Sequence, residues 1–167
     1  NDYLLDEGSL VAEVMGGVLS ASYRGVPNAF IRLVLEIVKL SVQHGNTASS
    51  GFAYVCYALI LSGALGDIAA GTRLVPVVEA MLTRPLTRAY KAKTLFALGA
   101  FILPWTQPLR ICADRLYEGY ISGLEVGDAY DGNMFLNKDG TQLVVQFPDY
   151  RGLPLDIGSL ETLAVVI

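Results

Sequence analysis

The chain has 167 residues, 53% of them hydrophobic, 17% charged and 10% aromatic; twelve basic against sixteen acidic residues leave a net charge of −4. One domain is the expectation at this length, and so apolar a chain is not intrinsically disordered. The acidic balance and the lack of a basic run argue against nucleic acid as a partner, because excess carboxylate repels phosphate.

Helical signals dominate the first 130 residues. Ser9 reads as a cap, and Leu10, Val14 and Val18, with Val11 and Met15 alongside, recur at helical spacing over 9–23. Gly25, Pro27 and Asn28 break the chain. Over 29–44, Phe30, Leu33, Val34, Ile37, Val38 and Leu40 mark an inner face, and Arg32, Glu36 and Lys39 an outer one. Gly45-Asn46 ends this helix, and Thr47 or Ser49 caps the next, which runs to about residue 62. Gly66-Asp67 combines a stop with a new cap, and the following helix, to about residue 82, contains Pro76, which predicts a kink. Arg84-Pro85-Leu86-Thr87 is a turn before a helix over 88–101. Pro104-Trp105 breaks again, and a long helix over 108–126 closes at Gly127-Asp128.

After Gly132 the pattern changes: Asn137-Lys138-Asp139-Gly140 reads as a turn, and 141–147 alternates like a short strand. The main breaks, at Gly45-Asn46, Arg84-Pro85 and Gly127-Asp128, recur about every forty residues, each interval holding a second break near its middle. Three stacked helical hairpins account for this period. The predicted fold is all-α, a tetratricopeptide-like right-handed stack of helical hairpins over 9–131, with an irregular or short-strand tail over 132–167. Small residues such as Gly51, Ala53, Ala58, Ala92, Ala97 and Gly99 suit close helix–helix contact.

Mean hydropathy is high, at +0.45. Residues 48–66 carry no charge, so a small multi-helix integral membrane protein is the competing expectation. Glycines dilute that stretch, Pro104, Gln107 and Pro108 interrupt the second uncharged one, and neither has a flanking Lys/Arg cluster, which favours a soluble helical array. No basic-then-apolar leader opens the sequence; Asn1 at one end and the apolar run 163–167 at the other predict a piece of a longer chain. Cys56 and Cys112, far apart in helical pattern, read as buried thiols, consistent with a reducing, cytoplasmic setting.

The sequence holds no phosphate-binding Gly-rich loop ending in Gly-Lys-Ser/Thr, no Gly-x-Gly-x-x-Gly and no Gly-x-Ser-x-Gly elbow. His44 is the single histidine and reads as a helix C-terminal residue rather than a catalytic or phosphoacceptor one. Asp114, Glu118 and Glu125 share a helix with Arg110 and Arg115 and read as a solvated face. Asp67 and Asp128 read as caps; Tyr117, Tyr120 and Trp105 read as core, with an exposed binding groove as the competing possibility. No catalytic, cofactor-binding or metal-binding residue is nominated.

Residues 41–46 (Ser-Val-Gln-His-Gly-Asn), 57–71 (from Tyr-Ala-Leu through Leu-Ser-Gly-Ala-Leu-Gly-Asp-Ile), Tyr90-Lys-Ala-Lys93, Pro104-Trp105, Pro108-Leu109-Arg110 and 117–128 (ending Ser-Gly-Leu-Glu-Val-Gly-Asp) together resemble, in the same order, a helical region of very large signalling kinases. That family combines a serine/threonine-kinase-like domain, an AAA-type ATPase domain, a tetratricopeptide-like array, a GAF sensor and a hybrid sensor histidine kinase. The resemblance covers about residues 9–131. It implies a non-catalytic scaffold in phosphorelay signalling, partnered by the neighbouring kinase, ATPase and GAF domains or by other proteins. ATP and magnesium would then belong to the parent protein and not to this segment. The sequence departs from the family at Pro76 and beyond Asp128.

Overall fold

The computed structural model describes residues 6–126 and, further along, three short strands at 134–136, 142–146 and 162–166. Helix dominates, as expected. α1 (Glu7–Gly25) begins two residues ahead of Ser9 because Asp6 is its cap, with Oδ1 accepting the Ser9 N–H at 2.8 Å. The Ser9 hydroxyl instead donates to the carbonyl of His44, 3.4 Å away. After Val26 the chain folds back as α2 (Pro27–His44), with a proline in its first turn, where a missing N–H costs nothing. Phe30, Val34 and Ile37 are buried, as their spacing predicts.

In α1 the helical spacing of the apolar residues leaves the inward face open, and the structure settles it. The buried face is Ser9, Ala12, Gly16 and Leu19, while Leu10, Val14 and Val18 are 55%, 66% and 52% exposed. Small residues face inward because the neighbours come close. A Cβ on Gly8 would meet the His44 ring, and one on Gly16 would meet the Ser49 side chain.

The link from α2 to α3 (Ser50–Leu59) is held by hydroxyls. Gly45 ends α2 at φ +100°, a conformation L side chains avoid. Ser41 and Ser50 share a hydrogen bond of 2.7 Å, and the Thr47 N–H donates to Ser50 Oγ at 2.8 Å. The Ser49 N–H reaches Glu13 Oε2 at 3.2 Å, and its hydroxyl donates to the Ala12 carbonyl at 3.3 Å, fixing the link to α1. These partners satisfy polar groups that would be costly to bury alone.

α3 is the centre of the helical part, buried from Ser50 to Cys56 and again at Ala58, and it packs against α2, α5 and α6. The uncharged stretch at 48–66 is therefore core helix over most of 50–59, with residues 63–66 exposed. No helix among the described residues is long and apolar enough to cross a membrane. α3 runs into a π-helical turn at Ile60–Ala64, and Gly66 turns the chain at φ +72°. Asp67 then caps α4 (Ile68–Thr72), accepting the Ala70 N–H at 2.8 Å. The predicted kinked helix over 67–82 is instead two helices. Pro76 lies in the first turn of α5 (Val75–Leu82), a position that needs no N–H donor, so the proline marks a start and not a bend.

A 3-10 turn (Pro85–Tyr90) leads into α6 (Lys91–Ala97), a second π-helical turn (Leu98–Ile102) and a 3-10 turn at Leu103–Trp105, where the break was expected. α7 (Leu109–Val126) packs back on α6. β1 (Met134–Leu136), β2 (Gln142–Gln146) and β3 (Thr162–Val166) form an antiparallel sheet in that order, Val144 pairing with Phe135 on one side and Ala164 on the other. β2 falls within the predicted strand at 141–147. The stop at Gly127-Asp128 and the turn at 137–140 lie outside the described residues.

Cys56 and Cys112 are free and buried, and burial pushes both thiols up, Cys56 most strongly. The thiolate is the reactive form. A disulfide reagent is therefore expected to leave both thiols unmodified in the folded chain and to titrate both within minutes in denaturant. Fast labelling of either in native buffer would contradict this packing.

Candidate interaction groove

A polar-walled depression joins the end of α5, the 3-10 turn after it and α7. Thr87 anchors the turn from within, its hydroxyl 2.9 Å from the Met81 carbonyl and 2.8 Å from that of Arg84. With Pro85 at its start, this fixes a wall bearing Arg84, Arg88 and Lys91. The opposite wall is one stripe of α7: Tyr117, Glu118, Ile121, Ser122 and Glu125. Leu82, Pro85, Tyr117 and Ile121 supply the apolar surface of a groove of about 510 Å³.

The walls carry opposite charge and are tied across the groove. Lys91 Nζ lies 2.9 Å from Glu118 Oε1, and Arg88 Nη2 lies 3.9 Å from Glu125 Oε2. Arg115 holds the other Glu118 oxygen at 3.0 Å and reaches Glu79 of α5, also at 3.0 Å. Burial works to raise the Glu118 carboxyl, but its hydrogen bonds to Lys91 and Arg115 prevail and hold it below the usual range. The Arg88–Glu125 pair is long and 70%/59% exposed, so it contributes little and opens easily. Arg84 has no ion pair among the described residues.

Of the carboxylates read as a solvated face, Glu118 and Glu125 line this groove, whereas Asp114 is exposed away from it. Tyr117 is 62% exposed, so the competing groove possibility holds for that residue and the core expectation does not. Tyr120 is half-buried beside it, with ring centroids 6.4 Å apart. Trp105 is also exposed, 55%, but sits at the α6–α7 corner, its indole N–H donating to the Phe101 carbonyl at 3.0 Å. The basic wall was not singled out from sequence. Its signal was the run of cations Arg84, Arg88 and Lys91 before, within and after the turn, all three of which line the groove.

His44 ends α2, as read, and the structure adds a partner. Its Nδ1 is 2.7 Å from Asp6 Oδ2, so Asp6 caps α1 with one oxygen and holds α2 with the other. The Ser9 backbone hydrogen bond first, and the His44 ring after it, lower the Asp6 carboxyl to about 2. A folded value below the ordinary carboxylate range of about 3.9 gives stability that is complete above that range and lost as pH falls through the folded value. Thermal melts of the chain are thus expected to lose this contribution between about pH 4 and pH 2. Asp6→Ala should flatten that part of the profile, and an unchanged profile would remove Asp6 from its role.

No group of three or more His, Cys, Asp or Glu side chains among the described residues is placed to hold a metal ion. No family model, no curated protein and no solved structure matches the chain.

Proposed function

We propose that the chain is a non-catalytic helical-repeat segment, a tetratricopeptide-like right-handed stack of hairpins that serves as a scaffold in a multidomain ATP-binding sensor histidine kinase or serine/threonine kinase. It would act in cytoplasmic phosphorelay signalling, with the neighbouring kinase, ATPase and GAF domains, or partner proteins, as its contacts. The family assignment rests on the ordered resemblance of residues 9–131. The structural observation that supports an interaction role is the groove between the 3-10 turn and α7, whose charged walls flank an apolar floor. Such a surface selects a partner by charge while its apolar floor supplies affinity.

Two measurements test this. The coding sequence on either side should encode a Gly-x-x-x-x-Gly-Lys-Ser/Thr loop upstream and a histidine-kinase domain downstream; flanks encoding neither would end the kinase assignment. Purified neighbouring domains should bind the chain, and Arg84→Glu with Arg88→Glu should weaken binding at least tenfold while leaving the helical spectrum unchanged.

A further inference from the structure

An exposed apolar arc behind a helix's buried face is surface that a partner can cover. α1 carries one. Behind its buried face, the opposite arc consists of Leu10, Val11, Val14, Gly17, Val18 and Ala21, all exposed, with Glu7 at its N-terminal end. Nothing within 4 Å occupies the space a Cβ on Gly17 would take, so the arc is open to close approach. Alongside runs a groove of about 640 Å³ between α1 and α2, lined by Met15, Ala29, Arg32, Leu33, Leu35 and Glu36.

We propose that this face is the seat of a second copy of the chain, α1 crossing the partner's α1 antiparallel about a two-fold axis near Val14. The charges choose this arrangement. Parallel pairing would set two Glu7 carboxylates side by side, whereas antiparallel pairing about Val14 separates them by fourteen residues, roughly 21 Å at 1.5 Å per residue. With Val14 at the axis, Leu10 lies against the partner's Val18, and Glu7 reaches the level of the partner's Ala21. Because α1 and α2 fold back at Val26, that level on α2 is Arg32, which lines the groove and has no ion pair among the described residues. Glu7 therefore meets an unneutralised cation at the place where two-fold pairing delivers it. An anionic membrane surface is the poorer match, since the arc carries a carboxylate and no Lys or Arg at its described positions.

Sedimentation equilibrium of the full chain tests this. A concentration-dependent dimer is expected. Val14→Glu, at a position 66% exposed in the monomer, should abolish the dimer and leave the far-ultraviolet dichroism intact. Glu7→Arg should weaken association about tenfold, and adding Arg32→Glu should restore it. A chain that stays monomeric at 100 µM-scale loading (roughly the weak end of useful association) would overturn the proposal. So would a dimer indifferent to Val14→Glu and to the charge exchange, or pelleting with phosphatidylcholine vesicles in place of self-association.

Discussion

Leu98→Ala is expected to destabilise the chain by about 2–5 kcal/mol, the cost of lost burial plus an incompletely closed cavity. Leu98 is fully buried at the start of the second π-helical turn, where that turn meets both α3 and α7. Truncation there loosens the central helix and the last hairpin together. For a chain of this size the change corresponds to a fall in Tm of roughly 5–15 °C. Leu35→Ala, removing a leucine that is 47% exposed, should shift Tm by a small fraction of that. Equal effects from the two would mean that the core is not where this packing puts it.

Gly71→Ala is the second large effect, about 1–3 kcal/mol from overpacking alone. A Cβ at this position would run into the Ser62 hydroxyl and come within 2.8 Å of the Ala58 carbonyl, so α4 must move off α3 and its π-helical turn. Ser62 Oγ is the one buried side-chain oxygen or nitrogen without a hydrogen-bond partner among the described residues. Removing an unpartnered buried hydroxyl is close to neutral or stabilising. Ser62→Ala alone should therefore leave stability unchanged or raised. Combined with Gly71→Ala it should recover part of the loss, giving a coupling above about 0.5 kcal/mol in a denaturant double-mutant cycle. Strict additivity would show that the two residues do not share this contact.

Helix positions were legible because glycine, proline and capping residues mark them, and β2 was legible from alternation. The facing of α1 was not, because Leu10, Val14 and Val18 give the period without saying which side is inward. Apolar residues on both the buried and the exposed arc weaken the contrast that orients a helix. The signal that would have served is Gly8, Ala12 and Gly16, small residues four apart that let α1 approach His44 and Ser49. The two π-helical turns were equally hidden, since they shift hydrogen-bond register without any special residue type. Pro76 shows the converse: its effect depends on whether a helix starts just before it, which tertiary packing decides.

The groove was legible only in pieces. Glu118 and Glu125 were visible as a helical stripe, but their opposite wall comes from a turn some thirty residues earlier, and pairing across that distance is a property of the tertiary packing. His44 likewise looked isolated until α1 and α2 brought Asp6, thirty-eight residues earlier, to its ring.

Amide hydrogen exchange of the full chain tests the packing order most directly. Slowest exchange is expected in α3 and α6, the helices buried along most of their length, with α4 and the outer turns exchanging by local opening well before global unfolding. Protection uniform across the seven α-helices of the described residues, or greatest in α4, would contradict a fold built around α3.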